Sequence, residues 1–215
     1  MTTLVAYYDT EPVDLKGKVE IQQVPMPKAV EARVADGALR PGLVYVLVPS
    51  PVGPPLHVPF ATYDEWSLRD RYNEALRIVN TLGASHVDCQ SFREAKKGAR
   101  LKVGVKGFGG KGGIQKVQNS GFDYSHTGTG SPARDPRPLQ WPHEPGFAAA
   151  VEGVLDNKAT QVTINIHSSQ TFSANGSTGK ALRKLGFELG ANAERSEVSN
   201  LHITAQFPAF KKSWL

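Results

Sequence analysis

The most regular pattern of apolar positions in the chain lies in residues 64–82. Apolar side chains recur there at intervals of three or four residues, as on one face of a helix: Leu68, Tyr72, Leu76, Val79 and Leu82. Thr62 and Glu65 have the spacing of a capping box, and Gly83 stands where helices commonly end. The pattern therefore predicts an amphipathic helix over residues 64–82.

Two shorter helices and six strands complete the predicted elements. The helices cover residues 146–155 and 180–185, and Gly186 closes the second. The strands alternate apolar and polar residues or are rich in β-branched residues, and they cover 43–48, 85–90, 100–106, 160–168, 187–193 and 199–207. The neighbouring strands within 84–106 and within 186–207 indicate antiparallel hairpins. We therefore predict an α+β fold with a mainly antiparallel sheet, long hairpins and about three helices packed on one face.

The whole chain, residues 1–215, is expected to form a single α+β domain, because 40% hydrophobic and 21% charged residues are ordinary for a globular protein. Proline and glycine concentrate in residues 118–146, which predicts a long loop. The N-terminus lacks a basic stretch followed by an apolar one, so a cytoplasmic protein is expected. The single cysteine, Cys89, allows no intrachain disulfide, and its place in a stretch of alternating apolar residues predicts a buried side chain.

Three of the predicted strands place histidine on the polar side of their alternation. In residues 161–167 the even positions are apolar, whereas in residues 200–206 the odd positions are apolar. The polar sides of these two strands and of the strand at 85–90 contain the most reactive side chains: His86, Asp88, His167, His202 and Thr204. If the three strands are neighbours, these side chains lie on one face of the sheet. Such a face can be a metal site, a catalytic site or a plain polar surface that meets water.

The metal interpretation rests on the imidazole and carboxylate groups of this set. Zinc and related divalent ions take such groups as ligands, and separate strands can supply them to one ion. The candidates for a metal site are His86, Asp88, His167 and His202.

The catalytic interpretation rests on His167, His202 and Thr204. The segments His167-Ser168-Ser169 and His202-Ile203-Thr204 resemble the paired His-x-Ser/Thr elements of two-histidine phosphoesterases. That resemblance implies a hydrolase in which one imidazole acts as a base and the other as an acid.

The basic charge of the chain is concentrated in residues 96–116. This run contains six Lys, one Arg and no Asp or Glu, so its charge of +7 exceeds the +5 of the whole chain. A predicted basic strand leads there into a glycine-rich turn, where the backbone can approach a ligand closely. The candidate contacts to an anion are Arg100, Lys102, Lys106, Phe108, Lys111 and Lys116, with Phe108 able to stack on a base.

A nucleotide-binding loop is excluded for this run. Residues 107–112 spell G-x-G-x-x-G, but no helix begins after them and no acidic residue is well placed about 20 positions further on. Lys111 precedes Gly112 rather than Ser or Thr, so a P-loop is excluded as well. No cofactor is predicted.

We therefore expect a non-enzymatic binding protein, or a subunit of an assembly, that contacts an anionic partner through a Lys/Gly-rich hairpin. Nucleic acid is the first candidate partner, and an acidic protein surface or an anionic membrane is the second. The hydrolase described above is the alternative. A second alternative is a membrane-active protein that inserts residues 98–118, but one side of that strand offers only three apolar side chains: Leu101, Val103 and Val105. The sequence leaves the oligomeric state open.

Overall fold

The computed structural model describes residues 3–15, 19–26, 32–35, 37–50, 53–94, 114–116, 121–168, 172, 175–190 and 200–209. The strands, in chain order, are β1 (Thr3–Tyr8), β2 (Gln22–Pro25), β3 (Arg33–Val34), β4 (Val44–Val48), β5 (Leu56–Pro59), β6 (His86–Glu94), β7 (Ile114–Lys116), β8 (Tyr124–Thr127), β9 (Gln161–His167) and β10 (Asn200–Gln206). The helices are α1 (Tyr63–Thr81), α2 (Pro145–Leu155) and α3 (Ser177–Lys184). The described elements are helices and strands in two sheets, and most of the strand pairs are antiparallel, so the predicted α+β class is confirmed.

The chain divides into two compact units. Unit 1 is formed by Met1–Ser67 and Ser169–Arg195, and unit 2 by Leu68–Ser168 and Ser196–Leu215. Each unit therefore uses two separate stretches of chain. The expected single domain over residues 1–215 stays a prediction.

The sheet of unit 1 has the strand order β2-β1-β4-β5-β3. The pairs β1–β4 and β4–β5 are antiparallel, whereas β2 and β3 join their neighbours in parallel. Both faces of β1 are buried, because Leu4 and Ala6 lie in one apolar cluster with Leu182 of α3, and Val5 and Tyr7 lie in another. A strand buried on both faces has no polar alternation, which is why the sequence pattern predicts no strand here.

A buried polar pair joins β1 to β5 in unit 1. Tyr7 Oη lies 2.6 Å from His57 Nε2, and His57 Nδ1 lies 3.0 Å from the carbonyl oxygen of Arg33. A carbonyl oxygen only accepts, so His57 Nδ1–H donates to Arg33 and His57 Nε2 accepts the hydroxyl hydrogen of Tyr7. Burial lowers the pKa of His57, which favours the neutral ring that this arrangement needs.

The sheet of unit 2 has the strand order β7-β6-β10-β9, and β8 pairs with the first part of β6. All of its pairs are antiparallel. The inward side chains of the strands form one apolar core with α2 and with residues 68–82 of the α1 region: Val87, Cys89, Ile164, Ile166, Leu201, Ile203, Phe147, Val151, Leu68, Ile78 and Leu82. Because the helices cover this face, the alternating polar residues of β6, β9 and β10 are left on the opposite one.

The three helices lie where the sequence predicts them. Gly83 follows α1 with a φ of +84°, and Gly186 follows α3 with a φ of +90°. Both glycines therefore adopt the left-handed conformation that other residues disfavour. Gly83 is required for a second reason, because a Cβ there would lie 2.0 Å from the carbonyl oxygen of Ser131.

Four of the predicted strands correspond to β4, β6, β9 and β10, and the one at 100–106 lies outside the described residues. The structure differs at 187–193, where Phe187 and Leu189 are buried in unit 1 and Glu188 forms a β-bridge with Leu43. β10 has β6 on one edge and β9 on the other, so neither edge is left for the expected hairpin within 186–207. Alternation predicts a strand but does not identify its partner.

The proline-rich stretch at 118–146 is fixed to α1 in its described part. Buried Glu74 accepts the backbone N–H of Gln140 at 2.9 Å and the guanidinium of Arg77 at 2.6 and 2.8 Å. Asp70, one turn earlier, accepts the indole N–H of Trp141 at 2.8 Å. Acidic side chains on α1 thus anchor a stretch that the sequence predicts as a long loop but that contains the strand β8, which pairs with β6.

Candidate functional site

The outer face of the unit 2 sheet is polar, and the strand registers arrange its residues in four cross-strand rows. From one end of the sheet to the other, the rows are Thr127-His86-Gln206-Gln161, Ser125-Asp88-Thr204-Thr163, Gln90-His202-Asn165 and Phe92-Asn200-His167. The candidates from the sequence therefore share one face but occupy different rows: His86, Asp88, His167, His202 and Thr204.

The last two rows contain a repeated motif, Asn-x-His, on two neighbouring strands. β9 contains Asn165 and His167, and β10 contains Asn200 and His202. Because the strands are antiparallel, each asparagine lies opposite the histidine of the other strand. His202 Nδ1 lies 2.7 Å from Asn165 Oδ1, and His167 Nδ1 lies 2.5 Å from Asn200 Oδ1. We call these four residues the Asn–His cluster.

The two hydrogen bonds of the Asn–His cluster fix the same tautomer in both histidines. An amide oxygen only accepts, so Nδ1 must donate in His167 and in His202. In the neutral rings the lone pair is therefore on Nε2. Both histidines have side chains with access to solvent, His167 being exposed and His202 half-buried. The hydrogen bond at Nδ1 thus orients each ring and leaves Nε2 for proton transfer.

His167 and His202 are diagonal neighbours on the sheet. His202 lies opposite Asn165, and His167 is two positions further along β9 on the same face. Diagonal residues of an antiparallel pair are about 7–8 Å apart. The backbones of His167 and His202 are therefore close enough for both side chains to reach one small group, such as a phosphate, on this face.

The structure does not bring the four metal candidates together. His86 lies opposite Gln206, four residues along β10 from His202, which corresponds to about 14 Å at 3.4 Å per residue. His86 Nδ1 is instead 2.8 Å from Thr127 Oγ1, and Asp88 accepts the side-chain amide of Gln90 at 2.7 Å. Among the described residues, no group of three or more His, Cys, Asp or Glu is placed to hold a metal ion.

The two His-x-Ser/Thr elements are placed differently. Thr204 shares the face and the strand of His202 and lies one row away, opposite Thr163 and Asp88. Ser169 of the first element lies outside the described residues. The asparagines are the functional candidates that the sequence reasoning missed, and the repeated Asn-x-His triplet was the signal that could have identified them.

Most of the predicted anion contacts lie outside the described residues: Arg100, Lys102, Lys106, Phe108 and Lys111. The remaining one, Lys116, is the last residue of β7 and lies opposite Phe92 of β6. Phe92 in turn lies opposite Asn200. The fourth row therefore runs, by backbone register, from Lys116 through Phe92 and Asn200 to His167.

The register of β6 and β7 also locates both ends of the basic run. Glu94 pairs with Ile114, one row beyond the fourth row. Residues 95–113, which we call the basic segment, connect these two positions and contain six Lys or Arg and no Asp or Glu. The basic segment is therefore attached to the same end of the sheet as the Asn–His cluster.

Cys89 is on the opposite, buried side of β6. Burial, together with the negative charges of Asp123 and Asp88, raises the pKa of its thiol to about 12. A thiol of this kind is a poor nucleophile, because the thiolate is the reactive form. Cys89 therefore acts as a small core side chain, as the sequence predicts.

No helix in the part of the chain that the structure describes is long and apolar enough to cross a membrane. The described geometry is thus an exposed sheet face with two oriented histidines, next to the attachment points of a strongly basic segment. Comparisons with protein-family models, with curated proteins and with solved structures found no match for this chain.

Proposed function

We propose that the protein binds nucleic acid through the Asn–His end of the unit 2 sheet together with the basic segment. The observation that carries the proposal is the β6–β7 register: Glu94 and Ile114, which flank residues 95–113, pair one row beyond the row that contains Asn200 and His167. The basic segment would supply contacts to phosphates. The third and fourth rows of the sheet face, which contain the Asn–His cluster, would supply hydrogen bonds to sugars and bases.

The charge distribution supports an anionic partner at this place. The basic segment and Lys116 together carry +7, whereas the rest of the chain carries a net charge of −2. Lys97 is three residues from Glu94, and Lys111 is three residues from Ile114. The covalent chain therefore limits each Cα–Cα distance to about 11 Å. The basic segment would therefore bring positive charge to the end of the sheet that contains the Asn–His cluster.

The chemistry of the face favours nucleic acid over the other anionic partners. Amide, hydroxyl and imidazole groups can donate to and accept from base edges and ribose hydroxyls. The four rows contain one carboxylate, Asp88, which is engaged by Gln90. A bilayer would instead require a row of apolar side chains, and Phe92 is the one large apolar residue in these rows.

The proposal is tested by fluorescence anisotropy with a labelled single-stranded oligodeoxynucleotide of 20 residues. Each phosphate contact contributes about 0.7 to the slope of log K against log salt, so up to seven contacts give a slope of up to about −5. We expect a slope steeper than about −2 between 50 and 200 mM salt. Binding that is absent or insensitive to salt would overturn the proposal.

Competition in the same assay distinguishes the partner classes. An unlabelled oligonucleotide should displace the probe at concentrations where poly-glutamate of equal charge and vesicles with anionic lipid do not. Displacement by poly-glutamate as efficient as by the oligonucleotide would indicate an acidic protein as the partner. Stronger displacement by vesicles would indicate a membrane.

A further inference from the structure

The geometry of the Asn–His cluster points to a catalytic activity beyond binding. We infer that His167 and His202 cleave RNA by acid–base catalysis, with the 2′-hydroxyl of the substrate as the nucleophile. The inference rests on the proposed function, because the basic segment and the sheet face have to bring RNA to the histidines. Its test separates cleavage from binding.

Two features of the cluster suit proton transfer at two points of one phosphodiester. The histidines are diagonal neighbours whose Cα atoms are about 7–8 Å apart, a backbone spacing at which two side chains can reach the same phosphate. Each ring is held through Nδ1, which leaves Nε2 as the nitrogen that exchanges protons. A pair of imidazoles placed in this way can act as a base and an acid in the same step.

The asparagines suit this chemistry because an amide oxygen accepts from Nδ1–H in both protonation states of the ring. Asn165 and Asn200 therefore keep His202 and His167 oriented before and after proton transfer. A carboxylate in their place would favour the charged ring and bias the pair toward one state. Asn165 and Asn200 are positioning residues in this account.

The substrate class follows from what a pair of imidazoles can do. One neutral imidazole takes the proton of the 2′-hydroxyl as the O2′–P bond forms. The other, protonated, gives its Nε2 proton to O5′ as the P–O5′ bond breaks. The products are a 2′,3′-cyclic phosphate and a free 5′-hydroxyl, and the reaction is redox-neutral. RNA contains the nucleophile, whereas DNA lacks it, so DNA should bind without being cut.

The experiment compares two labelled 20-residue oligonucleotides of one sequence, one all-deoxy and the other with a single ribonucleotide at its centre. The full-length protein should cut the second one at the ribonucleotide, and mass spectrometry should identify a 2′,3′-cyclic phosphate on the 5′ fragment. The all-deoxy strand should stay intact. A fragment that ends in a 3′-phosphate or 3′-hydroxyl from the outset, or equal cutting of both strands, would refute the mechanism.

Three histidine variants locate the activity. His167→Ala and His202→Ala should each lower the cleavage rate by at least about 100-fold, the usual range for a lost acid or base. His86→Ala is the matched control, because His86 lies on the same face with a cross-strand hydrogen bond but in a distant row. It should change the rate less than about twofold. A contaminating nuclease would not respond to these variants.

The role of the asparagines has its own readout. Asn200→Asp places a carboxylate beside His167, which should favour the charged ring and move the pH profile of cleavage to higher pH. The other titratable residues on the rows are His202, Asp88, His86 and, by backbone register, Lys116, and none of them changes in this variant. An unshifted pH profile would contradict the positioning role.

The outcomes separate the two claims. If the wild-type protein binds the oligonucleotide in anisotropy but does not cut the ribonucleotide between pH 5 and 8, the catalytic inference fails and the binding function stands. If binding is absent, the proposed function fails. If cleavage persists in the His167→Ala, His202→Ala double variant, the activity is not that of the Asn–His cluster.

Discussion

Glu74 is the residue whose replacement most clearly tests how the 118–146 stretch is held. In Glu74→Ala the backbone N–H of Gln140 loses its acceptor, which is 2.9 Å away, and Arg77 loses two hydrogen bonds of 2.6 and 2.8 Å. A hydrogen bond to a charged group contributes about 1.5–3 kcal/mol. The side chain of Arg77 is 44% exposed, so water can take the place of the hydrogen bonds that it loses. The Arg77–Glu74 ion pair therefore adds no more than about 1 kcal/mol.

Removal of Glu74 also brings a smaller gain. Burial raises the pKa of Asp70, and the negative charge of Glu74 raises it as well, although the bond from Trp141 opposes both. The loss of that repulsion offsets part of the cost, so we expect Glu74→Ala to lower the free energy of unfolding by about 2–3 kcal/mol. Glu74→Gln keeps an oxygen for the N–H of Gln140 and should cost about 1 kcal/mol.

The assay is urea denaturation at 25 °C, combined with limited trypsin digestion under native conditions. The anchored stretch contains Arg134, and cleavage after it should accelerate in Glu74→Ala before global unfolding. Asn73→Ala is the matched control, because Asn73 is the preceding, exposed residue of the same helix. A Glu74→Ala variant as stable as Asn73→Ala, with unchanged digestion, would refute the view that α1 fixes this stretch.

Two further predictions concern unit 1 and the helix ends. Burial lowers the pKa of His57, so the folded state favours the neutral ring. The resulting contribution to stability is full above the unfolded pKa of about 6.5 and is lost as pH falls through the lower folded pKa. Urea midpoints between pH 8 and 5 should therefore fall more in the wild type than in His57→Gln. Gly83→Ala should destabilise by at least about 2 kcal/mol more than Gly186→Ala, because both residues have positive φ but only the Cβ at 83 would collide with a backbone oxygen. Equal unfolding free energies for these two variants in denaturant titrations would contradict the second prediction.

The sequence predicts β6, β9 and β10 of unit 2 well, because these strands bury one face, but it misses the short strands β7 and β8. In β9 and β10 the alternation assigns Ile164 and Ile203 to the core and His167 and His202 to the outside, as in the structure. In unit 1 the same reasoning fails for β1, whose two faces are both buried. Its apolar run has no period of two from which a strand could be recognised.

Long-range pairing is what the sequence could not supply for the candidate site. The polar sides of β6, β9 and β10 follow from alternation, but the order of the strands and their registers do not. Only the registers show that His86 is remote from His202, and that each asparagine lies opposite a histidine. The first fact argues against a metal site shared by the four residues, and the second is the basis of the acid–base pair that we propose.

The claim at the centre of this account is that residues 95–113 and the adjoining end of the unit 2 sheet bind nucleic acid. The most direct test is the salt slope of oligodeoxynucleotide binding in Lys102→Gln, Lys106→Gln, Lys111→Gln, compared with Lys180→Gln, Arg183→Gln, Lys184→Gln on α3. Both triple variants remove three positive charges. We predict that the first loses about 2 units of slope, at about 0.7 per phosphate contact, and that the second keeps the wild-type slope. Equal slopes in the two variants would contradict the claim.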